Sequence, residues 1–88
     1  MKVTFKYYAQ IRQRAGTETE IVELNDGVPA LDAVGSLRHG PDFEGLLLDA
    51  QGRLQPTILL VVNGIPAAAD QKLKDGDELS LFSPVAGG

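Results

Sequence analysis

The sequence predicts a two-layer α+β domain, in which one main helix and a short helical turn pack against a four- or five-stranded sheet. Three observations predict it: an alternating segment at the N-terminus, a continuous apolar run near residue 60, and a helical spacing of apolar residues between them. The chain has 88 residues, which is room for one such domain and no second core.

The first two predicted strands form a hairpin. Residues 2–8 alternate between apolar and polar side chains, as in a half-buried strand, and residues 18–24 regain β character. Because no long crossover separates them, we expect antiparallel pairing. Residues 9–16 break the alternation and are interpreted as a connecting loop with room for a helical turn. The inward-facing positions of the hairpin are predicted to be Val3, Phe5, Tyr7, Val22 and Leu24.

The main helix is predicted after a turn-forming Asn-Asp-Gly sequence at 25–27. Pro29 suits the first position of a helix, and apolar residues follow at helical spacing. Gly40-Pro41 ends this helix, and a further helical turn from Pro41 buries Phe43 and either Leu46 or Leu47. The apolar face of the main helix comprises Ala30, Leu31, Val34 and Leu37.

The remaining strands lie in the C-terminal third of the chain. Residues 58–62 form a continuous apolar run whose length and β-branched content favour a central strand. Asn63-Gly64 predicts a tight turn into a short edge piece at Ile65. After another turn at 74–77, residues 78–82 form the last strand, with Leu79 and Leu81 facing inward.

Composition excludes several classes of function. The net charge is −4, so we do not expect the clusters of Lys and Arg side chains that bind the phosphates of nucleic acids. There is no cysteine, which excludes disulfides, thiolate metal sites and cysteine nucleophiles, and His39 is the one histidine. A Ser-His-Asp site would have to use His39, which lies in a turn-like segment. We therefore expect no self-contained enzyme.

The termini and apolar runs predict a cytoplasmic protein without a membrane partner. The N-terminal segment lacks the apolar region of a signal peptide. The longest apolar run, at 58–62, is far shorter than the ~20 residues that span a bilayer.

Three side-chain features are weak candidates for chemistry. Glutamates on the second strand and acidic residues at 75–78 could bind a hard cation, but a solvated strand face and a turn explain them better. His39 is interpreted as a surface loop residue. The glycines stand singly at turns, without the spacing of a phosphate-binding loop. The acidic residues concerned are Glu18, Glu20, Glu23, Asp75, Asp77 and Glu78.

The outer face of the predicted sheet is more apolar than a solvated face should be. Leu59 and Val61 point away from the core if their neighbours point inward, and Phe82 follows the same rule in the last strand. Such a patch predicts a protein partner. The alternative is that loops, or the helical turn near Phe43, cover this face.

The C-terminal residues form a thin thread directly after the last strand. None of the last four side chains is larger than valine, and the chain ends in two glycines. Such a thread can enter a narrow channel in another protein and present its main-chain carboxylate. The alternative is an ordinary frayed terminus. The residues concerned are Pro84, Val85, Ala86, Gly87 and Gly88.

Five short motifs, spread along nearly the whole chain, match the pattern of a known protein family. They are a strand followed by Ala-x-x-Arg and Ala-Gly at 3–16, Leu-Leu-Asp-x-x-Gly-x-Leu at 47–54, Val-Asn-Gly at 62–64, Leu-x-Asp-Gly-Asp-Glu at 73–78, and Pro-Val-x-Gly-Gly at 84–88. In these motifs the chain resembles the MoaD/ThiS family of ubiquitin-like sulfur carriers. The resemblance implies a β-grasp fold with a mixed sheet, spanning residues 1–83, and a flexible Gly-Gly tail at 84–88.

The resemblance also implies a chemistry at the chain terminus. A partner enzyme of the MoeB/ThiF type would use ATP to adenylate the Gly88 carboxylate, beside Gly87. A sulfur donor would then replace AMP to give a thiocarboxylate. A MoaE-like large subunit would receive the tail, and the chain itself would bind no cofactor. The implied partner-binding residues are Leu59, Val61, Phe82, Pro84, Val85 and Ala86.

Of the functions that share these motifs, the small subunit of molybdopterin synthase is favoured, which places the chain in molybdenum cofactor biosynthesis. A second is sulfur transfer in another pathway, namely thiamine, cysteine or tungsten-pterin synthesis. A third is a ubiquitin-like modifier joined to lysines through Gly88, and a fourth is a stand-alone interaction domain. Under the third function, chains of the modifier could grow on Lys2, Lys6, Lys72 or Lys74.

Overall fold

The computed structural model describes residues 1–83, which contain five strands and three helices. The strands are β1 (Lys2–Tyr7), β2 (Thr19–Glu23), β3 (Leu59–Val62), β4 (Ile65–Pro66) and β5 (Glu78–Phe82). The helices are α1 (Ala9–Ala15), α2 (Ala30–Gly35) and α3 (Pro41–Leu47).

All five strands of residues 1–83 join one mixed sheet in the order β2-β1-β5-β3-β4. β1 and β2 pair antiparallel, with Val3 opposite Val22, which confirms the predicted hairpin. β1 and β5 run parallel, whereas β3 is antiparallel to both β5 and β4. First and last strands that lie side by side and parallel, beneath a helical layer, form a β-grasp fold. The fold implied by the resemblance is therefore confirmed.

The sheet and the helices share one hydrophobic core. Burying each large apolar side chain contributes about 1.5–3 kcal/mol, so this core is the main source of stability. The strands bury the residues that their alternation predicts, namely Val3, Phe5, Tyr7, Leu60, Val62, Leu79 and Leu81. The helices and loops contribute Ile11, Ala30, Ala33, Val34, Leu37, Phe43, Leu47 and Leu73.

The segment predicted as a connecting loop, 9–16, is instead the helix α1. Ile11 is its buried residue, and it anchors the helix to the core. Gly16 ends the helix in the left-handed region, at φ 77°, where its N–H donates to the Arg12 carbonyl at 2.9 Å. A helix of seven residues with one buried side chain leaves no periodic pattern to detect, since its stability comes from tertiary packing.

Three short helices, rather than one main helix and a turn, cover the sheet within residues 1–83. α2 ends at Gly35, where the Ser36 hydroxyl donates to the Ala33 carbonyl at 2.6 Å, and Leu37 is buried beyond the helix end. α3 begins at Pro41 and buries Phe43, as predicted, together with Leu47. No helix in this part of the chain is long and apolar enough to cross a membrane.

The apolar run at 58–62 lies second from the sheet edge, and β5 takes the middle position instead. Its inward residues, Leu60 and Val62, are buried as expected. Leu59 on the other face is 49% exposed. A continuous apolar run predicts a strand with neighbours on both sides, but it carries no information about the order of those neighbours.

Two of the sequence motifs meet where β5 begins. In the β3–β4 turn, the Asn63 amide donates to Asp77 Oδ1 at 2.9 Å and its Oδ1 accepts from the Glu78 N–H at 2.9 Å. Asp75 Oδ1 accepts from the Lys2 N–H at 2.7 Å. These carboxylates therefore bind neighbouring segments of the same chain. Within residues 1–83, no three His, Asp or Glu side chains form a group that could hold a metal ion.

Replacing Asp77 by alanine is expected to lower the free energy of unfolding by about 1–2 kcal/mol. The substitution removes the acceptor for the Asn63 amide and for the Lys74 N–H, which lies 2.8 Å from Asp77 Oδ2. Denaturant unfolding measures the change. Asp70→Ala is the matched control, because Asp70 is exposed and makes no hydrogen bond or ion pair with residues 1–83. Equal losses in both variants would contradict the assignment.

Candidate functional site

The last strand leads directly to the predicted reactive end of the chain. β5 ends at Phe82, and Ser83 is the last described residue. The division into a domain at 1–83 and a tail at 84–88 therefore stays a prediction, as do the roles of the tail residues. The predicted site residues that lie outside the described residues are Pro84, Val85, Ala86, Gly87 and Gly88.

An apolar patch lies on the outer face of the sheet, beside the point where β5 ends. We call Tyr8, Leu59, Val61 and Phe82 the outer patch. Leu59 is paired with Phe82 across β3 and β5, Tyr8 and Leu59 are exposed, and the other two side chains are half-buried. Phe43 of α3 packs against Tyr7 on the opposite face, so this helix does not cover the patch.

Tyr8 is the member of the outer patch that the sequence analysis missed. Its ring stacks on that of Phe82, with centroids 4.5 Å apart and planes 8° from parallel. The stack explains why Phe82 is half-buried rather than exposed. Tyr8 continues the outward series of β1 after Lys6, so the alternation itself was the available signal. Ala9 then turns the chain with a positive φ of 52°, a conformation that costs a non-glycine residue about 1–2 kcal/mol.

Beyond the patch, the outer face carries polar side chains and one exposed apolar side chain, Ile21, which lies opposite Thr4 on the edge strand β2. Lys6 and Glu78 form an ion pair at 3.3 Å between β1 and β5, and Thr4 lies opposite Glu78. The predicted apolar patch is therefore centred on the end of the sheet where β1 and β5 finish, and Ile21 on the edge strand lies apart from it. Apolar side chains that cluster at one end of a sheet, with charged groups beside them, resemble the core and rim of a protein interface.

A polar network lies on the inner side of the same end. The Tyr7 hydroxyl and His39 Nε2 both donate to Glu20 Oε1. Burial raises the pKa of Tyr7, as does its bond to Glu20, so the phenol stays a donor. Burial alone would raise the pKa of Glu20, but the bonds from His39 and Tyr7 outweigh it and the pKa is lowered. His39 and Glu20, expected on the surface, thus tie the α2–α3 loop to β1 and β2.

Replacing Glu20 by glutamine is expected to lower the free energy of unfolding by about 1–2 kcal/mol near neutral pH. Because the folded-state pKa lies below the ordinary value of 4.5, the stabilisation is complete above that value. It is lost as the pH falls through the folded-state pKa, so the gap to the wild type should shrink in acid. Denaturant unfolding over a pH series tests this, with Glu23→Gln as the exposed control. A gap that does not vary with pH would count against it.

Comparison with known proteins places this geometry in context. The model of the ThiS family matches residues 5–88. Small archaeal modifier protein 1 of Haloferax volcanii is 33% identical over 85 residues, which cover 96% of this chain and 98% of that protein. The molybdopterin synthase sulfur carrier subunit of Escherichia coli is 30% identical over 82 residues, covering 93% and 94% respectively.

The backbone is also similar to those of solved structures. The crystal structure of small archaeal modifier protein 1 from Haloferax volcanii superposes with a TM-score of 0.92 at 31% identity, over 100% of both chains. The similarity therefore extends over the sheet, the helical layer and the loops between them.

Proposed function

This chain belongs to the ThiS family of ubiquitin-like sulfur carriers and modifiers, and we propose from that premise that it is a protein modifier whose reactive group is the Gly88 carboxylate. The modifier is joined through this carboxylate to lysine side chains of target proteins. The chain supplies the acyl group and the docking surface. Partner enzymes supply ATP and the catalytic groups.

Activation makes the carboxylate an electrophile. The Gly88 carboxylate attacks the α-phosphorus of ATP and pyrophosphate leaves, which yields an acyl-adenylate. A lysine amine of the target then attacks the carbonyl carbon, AMP leaves with the bonding electrons, and the nitrogen loses a proton. An isopeptide bond results. The enzyme that carries out the first step is of the MoeB/ThiF type, in keeping with the family.

The outer patch is the observation that carries this proposal. It lies where β5 delivers the chain toward residues 84–88, and it presents the stacked rings of Tyr8 and Phe82 beside the exposed Leu59. Aromatic residues in an apolar cluster are the usual anchors of protein interfaces. An enzyme that docks here has the C-terminal residues within its reach, so one surface serves both recognition and delivery.

The modifier function takes precedence over the molybdopterin synthase subunit that the sequence favours. The archaeal modifier protein matches at higher identity and over more of this chain than the molybdopterin synthase subunit does. The identities differ by only a few per cent, so the comparison ranks two candidates rather than removing one.

The second candidate is a sulfur carrier in molybdenum cofactor biosynthesis, and the similarity to the Escherichia coli subunit favours it. Here a sulfur nucleophile at the oxidation level of sulfide attacks the acyl-adenylate, and AMP leaves. The product is a C-terminal thiocarboxylate. A MoaE-like large subunit would then receive the tail. Because the chain has no cysteine, the carried sulfur can only lie on Gly88.

Mass spectrometry of the chain from its own cells distinguishes the two. Trypsin cleaves after Lys74, so a conjugated target lysine retains residues 75–88 of this chain as a remnant. Remnants that vanish when Gly88 is deleted would support the modifier. A terminal mass gain of one sulfur for one oxygen, without remnants, would support the carrier. If neither species forms, both proposals are wrong.

A further inference from the structure

The outer edge of β2 presents unpaired backbone groups. Leu24 and Met1 exchange two backbone bonds, at 2.8 and 2.7 Å, and the Glu18 carbonyl accepts from the Tyr7 N–H at 2.8 Å. Bonded and non-bonded positions alternate along an antiparallel pair, so the even-numbered residues of β2 bond to β1. The residues whose N–H and C=O face away from β1 are Thr19, Ile21 and Glu23.

Ile21 stands at the centre of this edge and is 69% exposed. Within residues 1–83, β2 is a terminal strand of the sheet and has no neighbour on this side. The Thr19 carbonyl already accepts a bond from the Thr17 hydroxyl at 2.9 Å, but a carbonyl oxygen has a second lone pair. An edge strand with an exposed β-branched residue is a template for an added strand.

We propose that a second copy of this chain adds its own β2 antiparallel to this edge, about a two-fold axis that passes by Ile21. In this register Ile21 lies opposite Ile21 of the second copy, and Thr19 lies opposite Glu23. By symmetry Glu23 also lies opposite Thr19 of the second copy. These three pairs are of the hydrogen-bonded type, because the backbone groups of each residue face the edge in both copies. The two exposed isoleucines then cover one another in a cross-strand pair.

Charge complementarity supports this occupant and this register. On the outer face, Lys6 lies beside Thr19 and Lys2 lies beside Glu23. Across the junction, the row runs from Lys6 and Thr19 of one copy to Glu23 and Lys2 of the other. Glu23 therefore has Lys2 of its own copy on one side and the neutral Thr19 of the other copy on the other side, with Lys6 beyond it, and no like charges meet across the junction. A register centred on Glu23 would instead place two carboxylates opposite each other, which is destabilising.

The proposed junction goes beyond the proposed function and does not obstruct it. β1 separates β2 from Leu59, Val61 and Phe82, so these residues of the outer patch stay free in each copy. A single pair of short strands buries less than the roughly 1,200 Å² of a standard interface. We therefore expect monomer and dimer to exchange, with the dimer populated at high concentration.

Amide hydrogen exchange tests the register directly, using the full chain at a dilute and a near-millimolar concentration. The amides of Thr19, Ile21 and Glu23 should exchange rapidly when dilute and more slowly when concentrated. The amides of Glu20 and Val22 bond to β1 and should exchange alike at both concentrations. Rates at the first three positions that do not vary with concentration would overturn the proposal.

Sedimentation equilibrium with matched variants tests whether the partner is a second copy that binds through β2. Ile21→Lys should raise the dimer dissociation constant at least ~tenfold, whereas Ile65→Lys should leave it unchanged. Ile65 is 68% exposed but lies on β4, at the opposite edge. Glu23→Lys should also weaken the dimer, since it places three cations in one row. A chain that stays monomeric, grows beyond dimers, or loses association equally in both isoleucine variants would overturn the proposal. Deleting Gly88 should change none of these results.

Discussion

Replacing Gly88 by valine is expected to lower the rate of C-terminal activation by about 100-fold or more, while the fold persists. The reacting group is a main-chain carboxylate, and no side chain in the last four residues is larger than valine. A β-branched side chain at the terminus displaces the carboxylate from a channel that fits glycine, and displacements near 1 Å cost about that factor. The core is built from residues 3–81, so stability should not change.

The measurement is ATP–pyrophosphate exchange by the adenylating enzyme, with the variant's C-terminal carboxylate as the acceptor of the adenylyl group. Gly45→Val is the matched control, because Gly45 lies in α3 and an added Cβ there meets nothing within 4 Å. That variant should be activated at the wild-type rate. If Gly88→Val is activated as fast as the control, the terminal glycine is not the group that the enzyme selects, and the proposed function loses its chemical basis.

The strands and their inward faces could be predicted from sequence because β structure leaves a local signal. Alternation identified Val3, Phe5 and Tyr7 as core, and the same rule placed Leu79 and Leu81 inward. Each of these positions depends only on its neighbours in the chain. The order of the strands depends on distant segments instead. The apolar run at 58–62 therefore could not show that β5, rather than β3, takes the middle position.

The features that sequence could not predict arise from contacts between distant segments. Glu20 binds Tyr7 and His39, and these three residues come from three separate parts of the chain. Tyr8 was assigned to the first strand, yet its role depends on the ring of Phe82, 74 positions later, stacking upon it. The helix α1 likewise depends on the core that receives Ile11. Packing of this kind is invisible to any window of adjacent residues.

Several motif residues that carried the resemblance have structural roles in this chain. Asn63 and Asp77 bind one another and hold the β3–β4 turn against the start of β5. They lie at the opposite end of the sheet from Phe82, because β5 runs from one to the other. The motifs therefore specify a fold and a direction for the chain, and the proposed chemistry is assigned to the residues that follow β5.

Replacing Phe82 by aspartate is expected to weaken binding to the adenylating enzyme by about 30-fold or more, as for an interfacial hot spot. The substitution removes the stack with Tyr8, which contributes about 0.5–1.5 kcal/mol, and places a charge within the outer patch. Tyr8→Ala should weaken binding as well, whereas Tyr8→Phe keeps the stacked ring and should bind as the wild type does. Leu59→Asp should resemble Phe82→Asp, because the two residues are paired across β3 and β5.

Titration calorimetry against the adenylating enzyme gives the affinities, and denaturant unfolding of each variant separates lost binding from lost stability. Ile65→Asp is the control, since it introduces the same charge at an exposed isoleucine outside the patch. A docking role requires that Phe82→Asp and Leu59→Asp lose affinity while Ile65→Asp does not. If all three bind equally, the partner uses another surface. If the loss of affinity in Phe82→Asp is fully explained by the fraction of the variant that is unfolded, the stack only stabilises the end of the sheet.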